Sequence, residues 1–141
     1  MDEALTRFLV RIQTRPIVGA FAHRLLRLLG ISFPRTVIVG KDLSLAHGAV
    51  GLVLHEDTEL GARVKLYQGV TVGRSDVHAA ADARGGRVVI GDDVVVGANA
   101  VVLFRSGQIL TIGNGAVVGA GSVLLQSVGQ GEIWAGNPAH K

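Results

Sequence analysis

Aliphatic residues recur at every sixth position along this 141-residue chain: at Leu54, Leu60, Leu66 and Val72, again at Ile90, Val96 and Val102, and again at Ile112, Val118 and Leu124. A period of six fits neither the 3.6 of an amphipathic helix nor the strict alternation of a long strand. It fits a short strand that ends in a bend, so that the chain turns one aliphatic side chain inward per repeat and coils. Gly follows the inward residue at Gly61, Gly73, Gly91, Gly97, Gly113 and Gly119, where a missing side chain relieves crowding. Small or β-branched residues sit four places after it at Thr58, Val64, Val70, Ala100, Ala116 and Ser122. Val39-Gly40 and Leu45-Ala46 have the same form in another phase, so the repeat begins near residue 37. The spacing predicts a mainly β solenoid of stacked coils, each burying what its neighbour leaves open. With aromatic residues at only 4%, Val, Ile, Leu and Ala must fill the interior.

The first thirty residues read differently. Leu5, Phe8, Leu9 and Ile12 are at helical spacing, Pro16 is a break, and Ile17, Phe21, Leu25, Leu28 and Leu29 form a second stripe ending at Gly30. Residues 1–30 are therefore expected to be a helical segment packed on the coil, and residues 31–141 the β-helix domain. Arg7, Arg11, Arg15, Arg24 and Arg27 read as a solvated helix face, with contact to anionic lipid the lesser alternative. Three interruptions break the rhythm, between Leu45 and Leu54, between Val72 and Ile90, and between Val102 and Ile112. The middle one predicts an exposed loop at about 74–87, and excursions of this kind commonly carry function.

The formal charge of +3 favours an anionic partner, yet the Arg residues are dispersed without aromatic interleaving, which argues against nucleic acid. The absence of Cys removes disulfides, thiolate metal sites and a cysteine nucleophile. No stretch has the length of a membrane span, and the beginning of the chain is unlike a secretory signal, so a cytoplasmic location is the expectation.

The runs Gly51–Glu56 (GLVLHE), Leu66–Gly73 (LYQGVTVG), Ile90–Ala98 (IGDDVVVGA), Val118–Val123 (VGAGSV) and Ala135–Ala139 (AGNPA) together resemble the hexapeptide-repeat acyltransferases, in the branch of the serine acetyltransferases and their sugar-acetylating relatives. The resemblance covers residues 31 to 139. It implies a left-handed parallel β-helix shaped as a triangular prism, with three hexapeptides per coil. It also implies a homotrimer with acetyl-CoA between neighbouring prisms, an acceptor carrying a hydroxyl, and no metal.

By that resemblance His47 is the general base, and an imidazole titrates in the range that alcohol activation needs. Taken alone, a single His at a coil corner is more often structural. Ser32 and Ala46 stand where the family carries Asp, and Gly86-Arg87 where it carries Arg-His. Glu56 is the retained acid, to orient a His or bind the acceptor, or else a solvated corner carboxylate; His78 substitutes in the loop, or is simply exposed. A backbone N–H at Gly73 would stabilise the oxyanion. Gly97, Ala98, Gly119 and Ala120 would hold the pantetheine arm, and Arg105 and Lys141 would meet the CoA phosphates. The activity implied is acetyl-CoA-dependent O-acetyl transfer to L-serine or a similar hydroxyl. A sugar O-acetyltransferase and a non-catalytic scaffold are the alternatives, while His47, His55 and His78 lack the spacing of a trimeric zinc hydratase.

Overall fold

A computed structural model describes residues 2–78 and 85–141. Among the described residues two helices, α1 (Glu3–Ile12) and α2 (Val18–Leu28), precede thirteen short strands. The first face of the prism is built from β1 (Ile38–Val39), β3 (Thr58–Leu60), β6 (Arg87–Ile90) and β9 (Ile109–Ile112). The second is built from β2 (Ser44–Leu45), β4 (Lys65–Leu66), β7 (Val95–Val96), β10 (Val117–Val118), β12 (Ile133–Gly136) and β13 (Ala139–His140), and the third from β5 (Thr71–Arg74), β8 (Val101–Phe104) and β11 (Val123–Leu124). All pairings are parallel except the terminal hairpin of β12 with β13. The coil is left-handed, as the hexapeptide resemblance implied.

The periodic aliphatics are the rungs of the ladders. Val39, Leu60, Ile90 and Ile112 are in register on the first face, and Leu45, Leu66, Val96, Val118 and Trp134 on the second. Val72, Val102 and Leu124 align on the third. From Leu45 and Leu60 onward the aliphatic rungs are buried, and each contributes roughly 1.5–3 kcal/mol of apolar transfer.

Rung spacing shows where the prism accepts extra chain. Crossing from the first face to the second always takes six residues (39 to 45, 60 to 66, 90 to 96, 112 to 118). The first rhythm break adds three residues at the edge between second and third faces, filled by a 3-10 turn at Ala46–Ala49. The second and third breaks both fall at the edge between third and first faces, one coil above the other. The predicted loop is narrower than 74–87, because Arg74 still belongs to β5 and Arg87 to β6. Its neck is tied to the third break: Arg74 Nη2 donates to Gly85 O (3.0 Å) and Ser106 Oγ (2.7 Å), and Ser106 N–H to Asp76 Oδ2 (2.8 Å). Residues 79–84 of the expected loop lie outside the described residues.

Gly beside the inward aliphatic does relieve crowding, but between coils. A Cβ on Gly113 would stand 2.5 Å from Gln130 N and 2.8 Å from Gln130 Cα. The left-handed backbone falls instead two residues further on, at Asp42, Arg63 and Asp93 along one edge. There Arg63 and Asp93 make a bidentate pair (2.6 and 2.7 Å) that holds the Asp93 carboxyl below its usual range.

Both ends are capped. Asp2 caps α1 by accepting from Ala4 N–H (2.9 Å), and α1 lies over β2 and the 3-10 turn. At the other end the Ala135–Ala139 turn folds back as expected, with Gly136 N–H donating to Ser122 Oγ (3.2 Å) and Ala139 buried. Glu132 is the hub of this cap, accepting from Lys141 Nζ (2.9 Å), Trp134 Nε1 (2.9 Å) and Gly129 N–H (2.8 Å). These donors, the Lys141 ammonium foremost, hold its carboxyl down to about 2. Lys141 is therefore the counter-ion of Glu132 rather than a free cation for a phosphate.

Gly113→Ala is expected to destabilise the coil by about 1–3 kcal/mol, because backbone rather than a yielding side chain blocks the new methyl; urea unfolding with an unchanged midpoint would contradict this. The Glu132 carboxyl is depressed in the fold, so its contribution is complete above its ordinary value of 4.5 and fades as pH falls toward about 2. The stability gap between wild type and Glu132→Gln, measured by urea titration, should be constant above pH 5 and shrink below 4.5.

Candidate active site

The edge between the second and third faces is a column of four turns, at 46–49, 67–69, 97–99 and 119–121. Each turn hydrogen-bonds to its neighbour: Gly69 N–H donates to Val50 O (2.8 Å), Asn99 N–H to Gln68 O (3.0 Å) and Gly121 N–H to Ala98 O (2.8 Å). The column is thus a continuous backbone wall, and small residues make most of its surface.

The first turn is the unusual one. His47, Gly48 and Ala49 take φ of 54°, 68° and 51° in succession. A left-handed non-Gly residue costs roughly 1–2 kcal/mol, so two of them need outside support. Helix α1 supplies it: Thr6 Oγ1 donates to Gly48 O (3.2 Å), Glu3 Oε1 accepts from Ser44 Oγ (2.8 Å), and Ala49 is fully buried beneath. The result is an exposed His47 held on a braced turn, its ring 6.0 Å from that of Tyr67 in the next coil. It makes no hydrogen bond with any described residue.

Of the residues singled out in the sequence, His47, Gly97, Ala98, Gly119 and Ala120 share this one edge. A Cβ on Gly97 would stand 2.6 Å from Ala120 N, so the two small pairs are stacked directly. Two residues at the same edge escaped the sequence reading. Tyr67 is the only Tyr of the chain, and Lys65 Nζ lies 5.9 Å from its ring centroid. Gln68 follows it, and its Oε1 is buried with no hydrogen-bond partner among the described residues, a costly state for an amide oxygen. The signal for both was a large polar or aromatic side chain at a corner where the other coils carry Gly and Ala.

The other candidate residues lie elsewhere. Glu56, His78 and Arg105 belong to the opposite edge, between third and first faces, because the width of the third face separates them from His47. A single chain therefore does not bring Glu56 to His47 as its orienting acid. Glu56 is exposed and lines a groove of about 400 Å³ with Glu59 and Arg87. Beside it, His55 Nδ1 accepts from Asp57 N–H (3.2 Å), and the His55 ring meets Phe104 edge-on at 5.0 Å. His78 is exposed just beyond the tied neck, and Arg105 is exposed in the third break. Gly73 lies inside β5, opposite Leu103, between residues 71 and 75, whose N–H groups donate to Ala100 O and Phe104 O. By the alternation of a parallel ladder its own N–H points at the neighbouring coil, so it is not a free oxyanion donor. Among the described residues no group of three His, Asp or Glu could hold a metal ion.

No protein-family model matches the sequence. The serine acetyltransferase of Helicobacter pylori is 37% identical over 91 residues, an alignment spanning 54% of this chain and 52% of that protein. The serine acetyltransferase of Neisseria gonorrhoeae, solved in complex with serine, superposes with a TM-score of 0.73 at 31% identity, covering 97% of this chain and 54% of that one. That of Brucella abortus, in complex with coenzyme A, gives 0.72 at 26% identity, with 97% and 52% covered. The chain spans about half the length of these relatives. The resemblance carried by the hexapeptide motifs is thereby met in both sequence and structure: the chain has the left-handed β-helix fold of the serine acetyltransferases and is similar to about half of one.

Proposed function

We propose that the chain is an acetyl-CoA-dependent O-acetyltransferase of the serine acetyltransferase type, with His47 as general base. The observation that carries this reading is the exposed imidazole of His47 on a braced, strained turn, at the head of a wall of stacked small residues. Relatives solved with serine and with coenzyme A support the same acceptor and donor. In the reaction the acceptor hydroxyl gives its proton to an unprotonated His47 nitrogen as its oxygen attacks the thioester carbonyl carbon. The tetrahedral intermediate collapses with cleavage of the C–S bond, and the imidazolium returns the proton to the departing thiolate. No covalent enzyme intermediate is required.

Gly97, Ala98, Gly119 and Ala120 let an extended ligand lie close against the backbone wall. The pantetheine arm carries two amides, and a rotation of the Gln68 side chain would offer its Oε1, unpaired among the described residues, to one of them. We assign that pairing to Gln68. The outward columns Val95, Val117 and Ile133 on the second face and Val53, Val101 and Val123 on the third support a homotrimer packed through its flat faces. In such a trimer the opposite edge of a neighbour, with Glu56, His78 and Arg105, would face the His47 wall and complete the site.

A sugar hydroxyl is the second acceptor reading, favoured by one observation. Gly86-Arg87 stands where the family carries Arg-His, and Arg87 is turned toward Glu59 (3.2 Å) on the first face.

Thiol release from acetyl-CoA should be stimulated by L-serine and fall by about 10²-fold or more in His47→Ala, the usual share of a general base. Full turnover in a folded His47→Ala protein would remove the assignment, and release with sugars alone would move the acceptor. Gln68→Leu is expected to raise the KM for acetyl-CoA about tenfold with little change in kcat, the worth of one lost hydrogen bond. A fall in kcat alone would take Gln68 out of donor binding.

A further inference from the structure

The helical hairpin departs from the packing that its apolar stripes predict. Leu9 and Val10 of α1 and Ala22 and Leu26 of α2 are buried, and Ile12, Leu25 and Leu29 pack partly against them. The largest apolar side chains are not: Phe8 is 57% exposed, Ile17 88%, Phe21 68% and Leu28 83%. Phe21, Arg24 and Leu28 follow the spacing i, i+3, i+7, so Arg and apolar side chains share the outward face of α2.

Charge is concentrated in the same place. Residues 1–30 hold five Arg against Asp2 and Glu3, a balance of +3. The whole chain has 14 cations and 11 acids, so the remaining nine cations and nine acids cancel. The prism is formally neutral, and the hairpin carries the entire net charge. Between α1 and the first coil runs a groove of about 730 Å³, lined among others by Arg7, Phe8, Arg11, Lys41 and Asp42, in which cations outnumber acids beside an exposed ring.

We infer that the N-terminal hairpin is a docking surface for an anionic lipid bilayer, with Phe8, Ile17, Phe21 and Leu28 entering the headgroup boundary and the Arg residues meeting lipid phosphates. Exposed apolar side chains interleaved with Arg, on short helices with polar flanks, are what interfacial binding requires. Among the described residues no helix is long and apolar enough to cross a membrane, so the contact proposed for this hairpin is a peripheral one. The hairpin sits at one end of the prism, over β2 and the 3-10 turn, which leaves it accessible in a trimer packed through the flat faces. Neutrality of the rest of the chain orients the molecule, since only this end is drawn to a negative surface.

The test is co-sedimentation of the full chain with phosphatidylcholine vesicles and with vesicles of equal parts phosphatidylcholine and phosphatidylglycerol. Wild type is expected to bind the anionic vesicles at least tenfold more tightly, with the difference shrinking as salt rises. Phe8→Ser/Phe21→Ser and Arg24→Glu/Arg27→Glu, all at exposed positions, should each weaken that binding about tenfold or more while circular dichroism stays unchanged. Sedimentation equilibrium of the same variants supplies the second reading. Absence of binding to anionic vesicles, or binding unaffected by both variants, overturns the proposal. A variant that loses a subunit contact while wild type ignores vesicles assigns the surface to a second copy of the chain instead.

Discussion

Everything in this molecule depends on the register between coils. A parallel ladder bonds each strand to the equivalent strand above and below, and the same alignment stacks Leu60 on Ile90 and Leu66 on Val96. Hydrogen bonding and apolar burial therefore demand the same cross-section of every coil. A residue gained within a strand would turn its rung outward and break both at once. Extra chain is consequently confined to edges, and the edge between first and second faces takes none.

That restriction explains where chemistry can reside. Two edges receive insertions and acquire side chains that regular corners lack. The three-residue insertion creates the left-handed run that lifts His47 clear of the prism, and α1 braces it. The longer insertions stack on one another at the opposite edge, where Arg74, Asp76 and Ser106 knit them together. The wall beside His47 stays low at Gly97 because a Cβ there would run into the backbone of Ala120.

A solenoid also has two open ends, and the chain closes them by different means. The terminal hairpin reverses direction and blocks further parallel pairing, with Glu132 gathering three donors around it. The helical hairpin covers the first coil with only part of its apolar surface. What it leaves exposed coincides with the net positive charge, so closing the core and presenting a surface are divided between the two sides of the same helices.

The sequence alone determined the coil, because a period of six has few physical solutions and the inward residues are read directly from it. It also determined both helices and the terminal turn, and through the resembling motifs it named His47 and the small pairs at residues 97–98 and 119–120 as candidates, which share one edge of the prism. Which edge each rhythm break occupies was decided by tertiary structure, since periodicity fixes the distance between rungs but not the face on which a gap falls. For that reason Glu56 and Arg105, near the site in sequence terms, sit across the prism from it, and Gly73, apparently a corner, lies within a strand. Tyr67 and Gln68 fall beside His47 only because coils stack 21 residues apart there (45 to 66). The exposure of Phe8, Phe21 and Leu28 was likewise hidden, because helical spacing names an apolar face without saying how much of it a narrow prism end can cover.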